Sequence, residues 1–432
     1  MPRLHTIAFV SSAILLVLLP FHAFLWTWFH SFFWTDGWTI IVQSWKEILV
    51  VVIASCAKLR FFQEPKTINR LLTPSNLAAM ALLLLSVAYA LCGPGELLQK
   101  VYGLRTIALP LVAFMTIQFF DFSEQQRTLL VRLMVGSGML VIGFALLQHF
   151  ILPIDTLRHF GSSTITSTWL PGGNLPMYQV VSDTDLIRAQ STFAGPNQLA
   201  AYLLVVLPFI LMKCANTVRA WNATKGLKLI QLLAAGCLLL ATLTTIFFTY
   251  SRAAWIALGS MLLLLTFAWI HHHHARYAWR LTLALLAAKI LLAVILFAQL
   301  PTNWESTLLR TASTNDHIGR TVQAFEVMTT HPLGLGLGST AGISQRFDAQ
   351  SHVGLTPENT YLGYALELGW LGGLLFVGFL SVLFWELSRT RNPLALSLAG
   401  LAVIALVLHP LEDAPTALTF FLLAGLSMRH HS

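Results

Sequence analysis

Long apolar blocks separated by short polar connections run through this chain from one end to the other. A helix needs about 20 mostly apolar residues to cross the hydrocarbon core of a bilayer. Hydropathy predicts twelve such spans, near 7–29, 39–57, 74–92, 101–120, 128–152, 196–214, 229–250, 253–270, 281–299, 359–385, 394–409 and 414–428. The first is long and continues into WTWFHSFFW, so it reads as a retained helix, not a cleaved leader. Two connections are much longer than the rest, at about 153–195 and 301–358. Connections of that length in a compact protein usually carry function. The expected fold is an all-α integral membrane protein, one polytopic domain over residues 1–432 with two large loops on one side.

Composition agrees with that pattern. The chain is 56% hydrophobic and only 10% charged, whereas a soluble domain carries roughly 25% charged residues. With the N-terminus placed in the cytoplasm, sixteen of the 26 basic residues fall on the cytoplasmic side and seven on the outer side. Lys46, Arg105 and Lys289 lie within spans. That bias is the positive-inside signature. It places both termini in the cytoplasm and the large loops on the outer side. The net charge of +8 then reflects membrane anchoring and calls for no nucleic acid partner. The four cysteines, at 56, 92, 214 and 237, show no disulfide pattern.

Against this background the few charges near the outer ends of spans are the informative residues. Arg188 in RAQSTFAGPNQLA precedes the sixth span, where Pro196, Asn197 and Gln198 read as a helix start. Arg252 in TYSRAAWIALG sits in a connection so short that it must lie at the membrane surface. Arg320 opens an amphipathic stretch, TVQAFEVMTTH, followed by the turn LGLGLGST. An arginine at a membrane boundary is kept by an anionic partner or by snorkelling to the headgroups. Three on the outer side, against the positive-inside trend, point to a phosphate-gripping site. The glycine run follows no strand of a βαβ unit, which argues against a dinucleotide loop, and it reads as a flexible turn.

Carboxylates and histidines supply candidates for proton transfer. Glu358 in TPENTYLGYALELGWLGG stands at the head of the tenth span, as a dipole-stabilised cap or as a general base. Glu367, inside that span, is expected to face the protein and to pair with Arg105, Lys289 or Lys46. His317, His331 and His352 lie in the second large loop, as solvated side chains or as acid–base groups. The run His271–His274 reads as a solvated turn, and no HExxH, DxD or paired-cysteine pattern indicates a metal.

Four strings in order, RAQSTFAGPNQLAAYL, TYSRAAWIALG, RTVQAFEVMTTHPLGLGLGST and ENTYLGYALELGWLGG, resemble the O-antigen ligase and polymerase superfamily of bacterial envelope glycosyltransferases. By motif the resemblance covers roughly residues 185 to 385, by topology the whole chain. It implies a C-type glycosyltransferase architecture, an undecaprenyl-diphosphate-linked glycan as donor, and a sugar hydroxyl of lipid A–core as acceptor, with no cofactor and no metal. The family's pyrophosphate-binding arginines fall on Arg252 and Arg320, with Arg188 as a third. Ligases carry His-Asn, nine residues, then Gly-x-x-Gly at the head of the tenth span. Here Asn359, Gly369 and Gly372 keep that spacing while Glu358 replaces the histidine. The catalytic candidates are therefore Glu358, His352 and Asn359. The replacement raises the alternative of an O-antigen or exopolysaccharide polymerase of the same superfamily, with a glycan as acceptor. Twelve spans also suit a secondary transporter, although no inverted repeat supports one.

Overall fold

A computed structural model of the chain describes residues 2–33, 36–64, 72–163, 174–181, 185–223, 229–274, 311–340 and 357–428. These residues form a helical bundle. Its helices are α1 (Pro2–Leu18), α2 (His22–Phe32), α3 (Asp36–Gln63), α4 (Pro74–Cys92), α5 (Leu97–Ile117), α6 (Glu124–Phe150), α7 (Pro196–Ala223), α8 (Leu229–Phe248), α9 (Arg252–His274), α10 (Thr311–Thr330), α11 (Thr360–Arg389), α12 (Pro393–Ile404) and α13 (Ala414–Ser427). The strands described are two residues each, β1 (Gln179–Val180) and β2 (Ile187–Arg188), antiparallel with Gln179 opposite Arg188.

Helix starts follow the capping residues of the sequence. Thr73 accepts from the Asn76 amide ahead of Pro74, Ser123 and Gln126 form a reciprocal capping box on α6, and Asn392 and Asp413 cap α12 and α13. Each cap satisfies an amide that the first helical turn leaves without a partner.

Among the described residues, eight helical stretches of 19 to 30 residues are long and apolar enough to cross a membrane. The helix α3 is 28 residues long but carries Asp36, Lys46, Glu47, Lys58 and Arg60. Two expected spans come out short: α12 has 12 residues and α13 has 14. Rather than running to 409, α12 stops at Ile404, and the chain turns through Ala405–Asp413 before α13 begins. The expected span at 281–299 and residues 301–310 and 341–356 of the expected loop lie outside the described residues. Arg320 lies well inside α10, which begins earlier, at Thr311.

Of those eight stretches α7 is the most enclosed, with 67% of its apolar window buried against 22% for α8 and for α9. Preceding it, Gln190, Ser191 and Thr192 are buried; the Ser191 hydroxyl donates to Val141 O and the Thr192 hydroxyl to Pro20 O. The segment leading to α7 thus dips into the bundle, its polar groups satisfied by backbone carbonyls as an apolar interior requires.

Candidate functional site

Antiparallel alternation of the helices puts the α4–α5 turn, the segment before α7, the α8–α9 turn and the head of α11 at one end of the bundle. The polar residues singled out from sequence collect there in two junctions.

The first junction holds Arg188 and Arg252. Just after β2, Ala189 N–H donates to Phe248 O at 2.8 Å, which fastens this segment to the end of α8. The half-buried Arg188 guanidinium donates through Nε to Thr249 O at 2.8 Å and through Nη2 to Asn197 Oδ1 at 2.9 Å. Arg252 is the first residue of α9, three residues beyond Thr249, and the Ala254 amide donates to the Ser251 hydroxyl at 3.4 Å. Two non-glycine residues here have left-handed backbone, Ser191 at φ 55° and Tyr250 at φ 49°. Such conformations cost energy and persist where surrounding structure imposes them, commonly at functional sites.

The second junction holds Arg320 and Glu358. Nη1 of Arg320 on α10 lies 3.5 Å from Oε1 of Glu358, with the side chains 35% and 28% exposed. Asn359, not Glu358, is the cap of α11: its side-chain oxygen accepts from the Leu362 amide at 3.1 Å. Capping by its neighbour leaves the Glu358 carboxylate available to the arginine. The head of α11 is pinned by Thr360, whose amide donates to Ala405 O and whose hydroxyl donates to Leu408 O.

The glycine run between these elements is packed against the bundle, in place of the flexible turn expected. Gly334, Gly336 and Gly338 have φ of 81°, 99° and 72°, the region where a side chain is strained. A Cβ on Gly336 would meet Pro94 O, and one on Gly338's neighbour across the interface, Gly103, would meet the run's backbone. Leu335 N donates to Leu366 O at 2.6 Å, and Trp370 N to Pro332 O at 3.2 Å, across the kink that Gly369 makes in α11 at φ 72°.

Glu367 does not pair with Lys46 or Arg105 as expected. It accepts from the Thr340 hydroxyl at 2.8 Å. Lys46 and Arg105 instead face Glu47, at 3.2 and 3.4 Å. Lys46 is also 2.9 Å from His22 Nε2. Lys289 and His352 lie outside the described residues, and the side chain of His317 is likewise not described. His331 contacts Thr330 Oγ1 at 3.0 Å and Val327 O at 3.2 Å at the end of α10.

One pair at this end escaped the sequence reading. His409, in the turn between α12 and α13, bonds through Nδ1 to Glu412 Oε1 at 3.0 Å. Around Gly363, one turn into α11, stand Glu412 Oε1, His409 Cε1 and Thr340 Oγ1, each within 3.8 Å of where a Cβ would sit. The sequence signal was a His-x-x-Glu spacing in HPLED, between two apolar blocks.

Residues 237–377 match the family described as O-antigen ligase. That segment contains Arg252, Arg320, Glu358, Asn359 and Glu367; Arg188, His409 and Glu412 lie outside it. No curated protein matches the chain.

Proposed function

We propose that this chain, which belongs to the O-antigen ligase superfamily, moves a glycan from undecaprenyl diphosphate to a sugar hydroxyl of lipid A–core at the periplasmic face of the inner membrane. The observation that carries the reading is the Arg320–Glu358 pair: a cation suited to diphosphate and a carboxylate suited to proton transfer, brought to one place by α10 and the head of α11. In this reading Arg188, Arg252 and Arg320 bind the diphosphate. The donor carries more charge than a single carboxylate, so it takes Arg320 over from Glu358 on binding. The acceptor hydroxyl loses its proton to a base at the head of α11, for which Glu358 is the candidate within the described residues. The hydroxyl oxygen then attacks the anomeric carbon from the face opposite the diphosphate, with inversion. The bond from that carbon to phosphate breaks, and the electron pair leaves on the diphosphate, where the arginines hold it. Charge-assisted hydrogen bonds contribute about 1.5–3 kcal/mol each, enough for two or three to lower the barrier substantially when they strengthen as charge develops.

A polymerase reading uses the same chemistry with a carrier-linked glycan as acceptor, and the glutamate at position 358 in place of the motif's histidine favours it. Surface glycan from a strain lacking the gene separates the two. Long chains retained on the carrier beside bare lipid A–core indicate a ligase. A single repeat unit capping lipid A–core indicates a polymerase. An unchanged glycan ladder overturns both.

A further inference from the structure

Glu358 serves as a base only if it stays in place after the diphosphate has taken Arg320 from it, so something besides the arginine must hold it. We propose that His409, backed by Glu412, is the positioning residue that aims Glu358 at the acceptor hydroxyl by clamping the carbonyl of Pro357; this rests on the glycosyl-transfer reading above and deepens it. The chain is fastened to the α12–α13 turn on both sides of Glu358.

After Glu358, Asn359 caps α11 through the Leu362 amide at 3.1 Å. Thr360 donates from its amide to Ala405 O at 2.9 Å and from its hydroxyl to Leu408 O at 2.8 Å. Before Glu358 stands Pro357, which has no N–H to give, so its carbonyl is the backbone handle there. The His409 ring meets that carbonyl. Its Nδ1 lies 3.0 Å from Glu412 Oε1. Its Nε2, sealed from solvent, is left for a looser hydrogen bond to Pro357 O. Gly363, one turn into α11, makes room for the pair, with Glu412 Oε1 and His409 Cε1 3.6 and 3.8 Å from where its Cβ would sit.

A count of donors sets the ring's charge. Carboxylate and carbonyl oxygens only accept, and a neutral imidazole has a single N–H. Serving both oxygens takes the doubly protonated ring. Burial opposes that charge, but Glu412, the Pro357 carbonyl and Glu358 favour it and prevail, so the imidazole titrates above its ordinary value. The other charged and titratable groups around the pair are Asp413 on the same turn, Tyr364 and Glu367 on α11, and Arg320 on α10 through Glu358. Lys46 of α3 acts on Asp413.

An imidazolium in this place does two things. It fixes the backbone just ahead of the base, where a misplacement of about 1 Å can cost about 100-fold in rate. Its charge also favours the ionised form of Glu358, the form able to accept a proton, once the donor has engaged Arg320. The proton of the acceptor hydroxyl goes to Glu358, and His409 keeps its own.

The test is initial-rate glycan transfer by the full chain in nanodiscs, at varied undecaprenyl-diphosphate donor and across pH 5 to 9. His409→Ala is expected to lower kcat by about 10- to 100-fold with donor KM within about twofold. It is also expected to move the acid limb of kcat, which reports Glu358, to higher pH, because a cation that held the carboxylate ionised is gone. His409→Gln, whose amide can donate to Pro357 O, is expected to recover most of kcat while the acid limb stays displaced. In a Glu358→Gln background His409→Ala is expected to cost nothing further, since it acts only through that carboxylate. An equal loss in that background, or an acid limb unmoved in the His409 variants, overturns the proposal. The acid limb of His409→Gln decides the matter if His409→Ala fails to fold. Absence of transfer by the wild-type chain, or a Glu358→Gln variant as fast as wild type, overturns the underlying reading instead.

Discussion

Removal of Arg320 separates its two possible employments, gripping the donor and holding Glu358. The resting ion pair is 3.5 Å long with both side chains about one-third exposed, and exposed pairs contribute only ~0.2–1 kcal/mol. A charge-assisted contact to the diphosphate contributes about 1.5–3 kcal/mol, which at 1.36 kcal/mol per tenfold is a factor of about 10–150. Arg320→Ala is therefore expected to lower kcat/KM for the donor by about 10- to 150-fold, while the unfolding free energy changes by less than about 1 kcal/mol. The assay is a double-mutant cycle with Glu358→Ala, measuring initial rates at varied donor in nanodiscs. If Arg320 binds the donor, its loss costs as much when Glu358 is already absent, because the penalty is paid against the diphosphate. If Arg320→Ala has no further effect in the Glu358→Ala background, the arginine serves only the carboxylate, and the diphosphate assignment is refuted.

Three further outcomes follow from the geometry. Gly369→Ala puts a side chain at φ 72° and its Cβ 2.7 Å from Pro332 O; left-handed strain of about 1–2 kcal/mol and overpacking of about 1–3 kcal/mol should lower stability measurably in a detergent thermal melt, and an unchanged melt would contradict the described kink. Asn197→Ala removes the acceptor for Arg188 Nη2 and should raise donor KM several-fold without loss of protein yield; Asn197→Asp, which keeps an acceptor oxygen, should recover most of it. Asp413 is pushed up by burial from 3.8 to about 6, against the hydrogen bonds of Thr416 and the charge of Lys46. The folded chain then holds more protons than the unfolded one between about pH 4 and 6, so this group makes stability fall as pH rises through that window. Melts of Asp413→Asn should lack that slope, and a slope unaltered by the substitution would assign it elsewhere.

Hydropathy located eleven helical stretches because apolar length is a local property. It misjudged α12, whose end at Ile404 is set by a turn within an apolar block and not by any change in hydropathy. The arginines stood out because charge is scarce in such a chain, and their partners did not. Glu367 was matched by sign to Arg105, Lys289 or Lys46, of which Lys289 lies outside the described residues. Glu47, adjacent to Lys46, already faces both cations, and a hydroxyl 27 residues upstream serves Glu367. The spacing of Asn359, Gly369 and Gly372 was legible as a motif, and its physical content is a cap and a kink. The His409–Glu412 dyad was not, because its meaning depends on the contact of Thr360 with Ala405, a long-range placement that no local pattern encodes.

The packed glycine run gives that placement a mechanical consequence. Arg320 lies on α10, and the chain leaves α10 directly into backbone fastened on one side to the α4–α5 turn and on the other to α11 at Leu366 and Trp370. The same run ends at Thr340, which holds Glu367 beside Glu412. One stretch of ten residues, 331–340, therefore sets the register of the arginine against Glu358 and also fixes a wall of the cluster around His409. Glycine is required there because backbone must meet backbone. A side chain at Gly336 would lift the run off Pro94, and Arg320 and Thr340 would shift together. Under the proposed glycosyl transfer, a shift of this run is expected to disturb the arginine's grip on the donor and the proton transfer together.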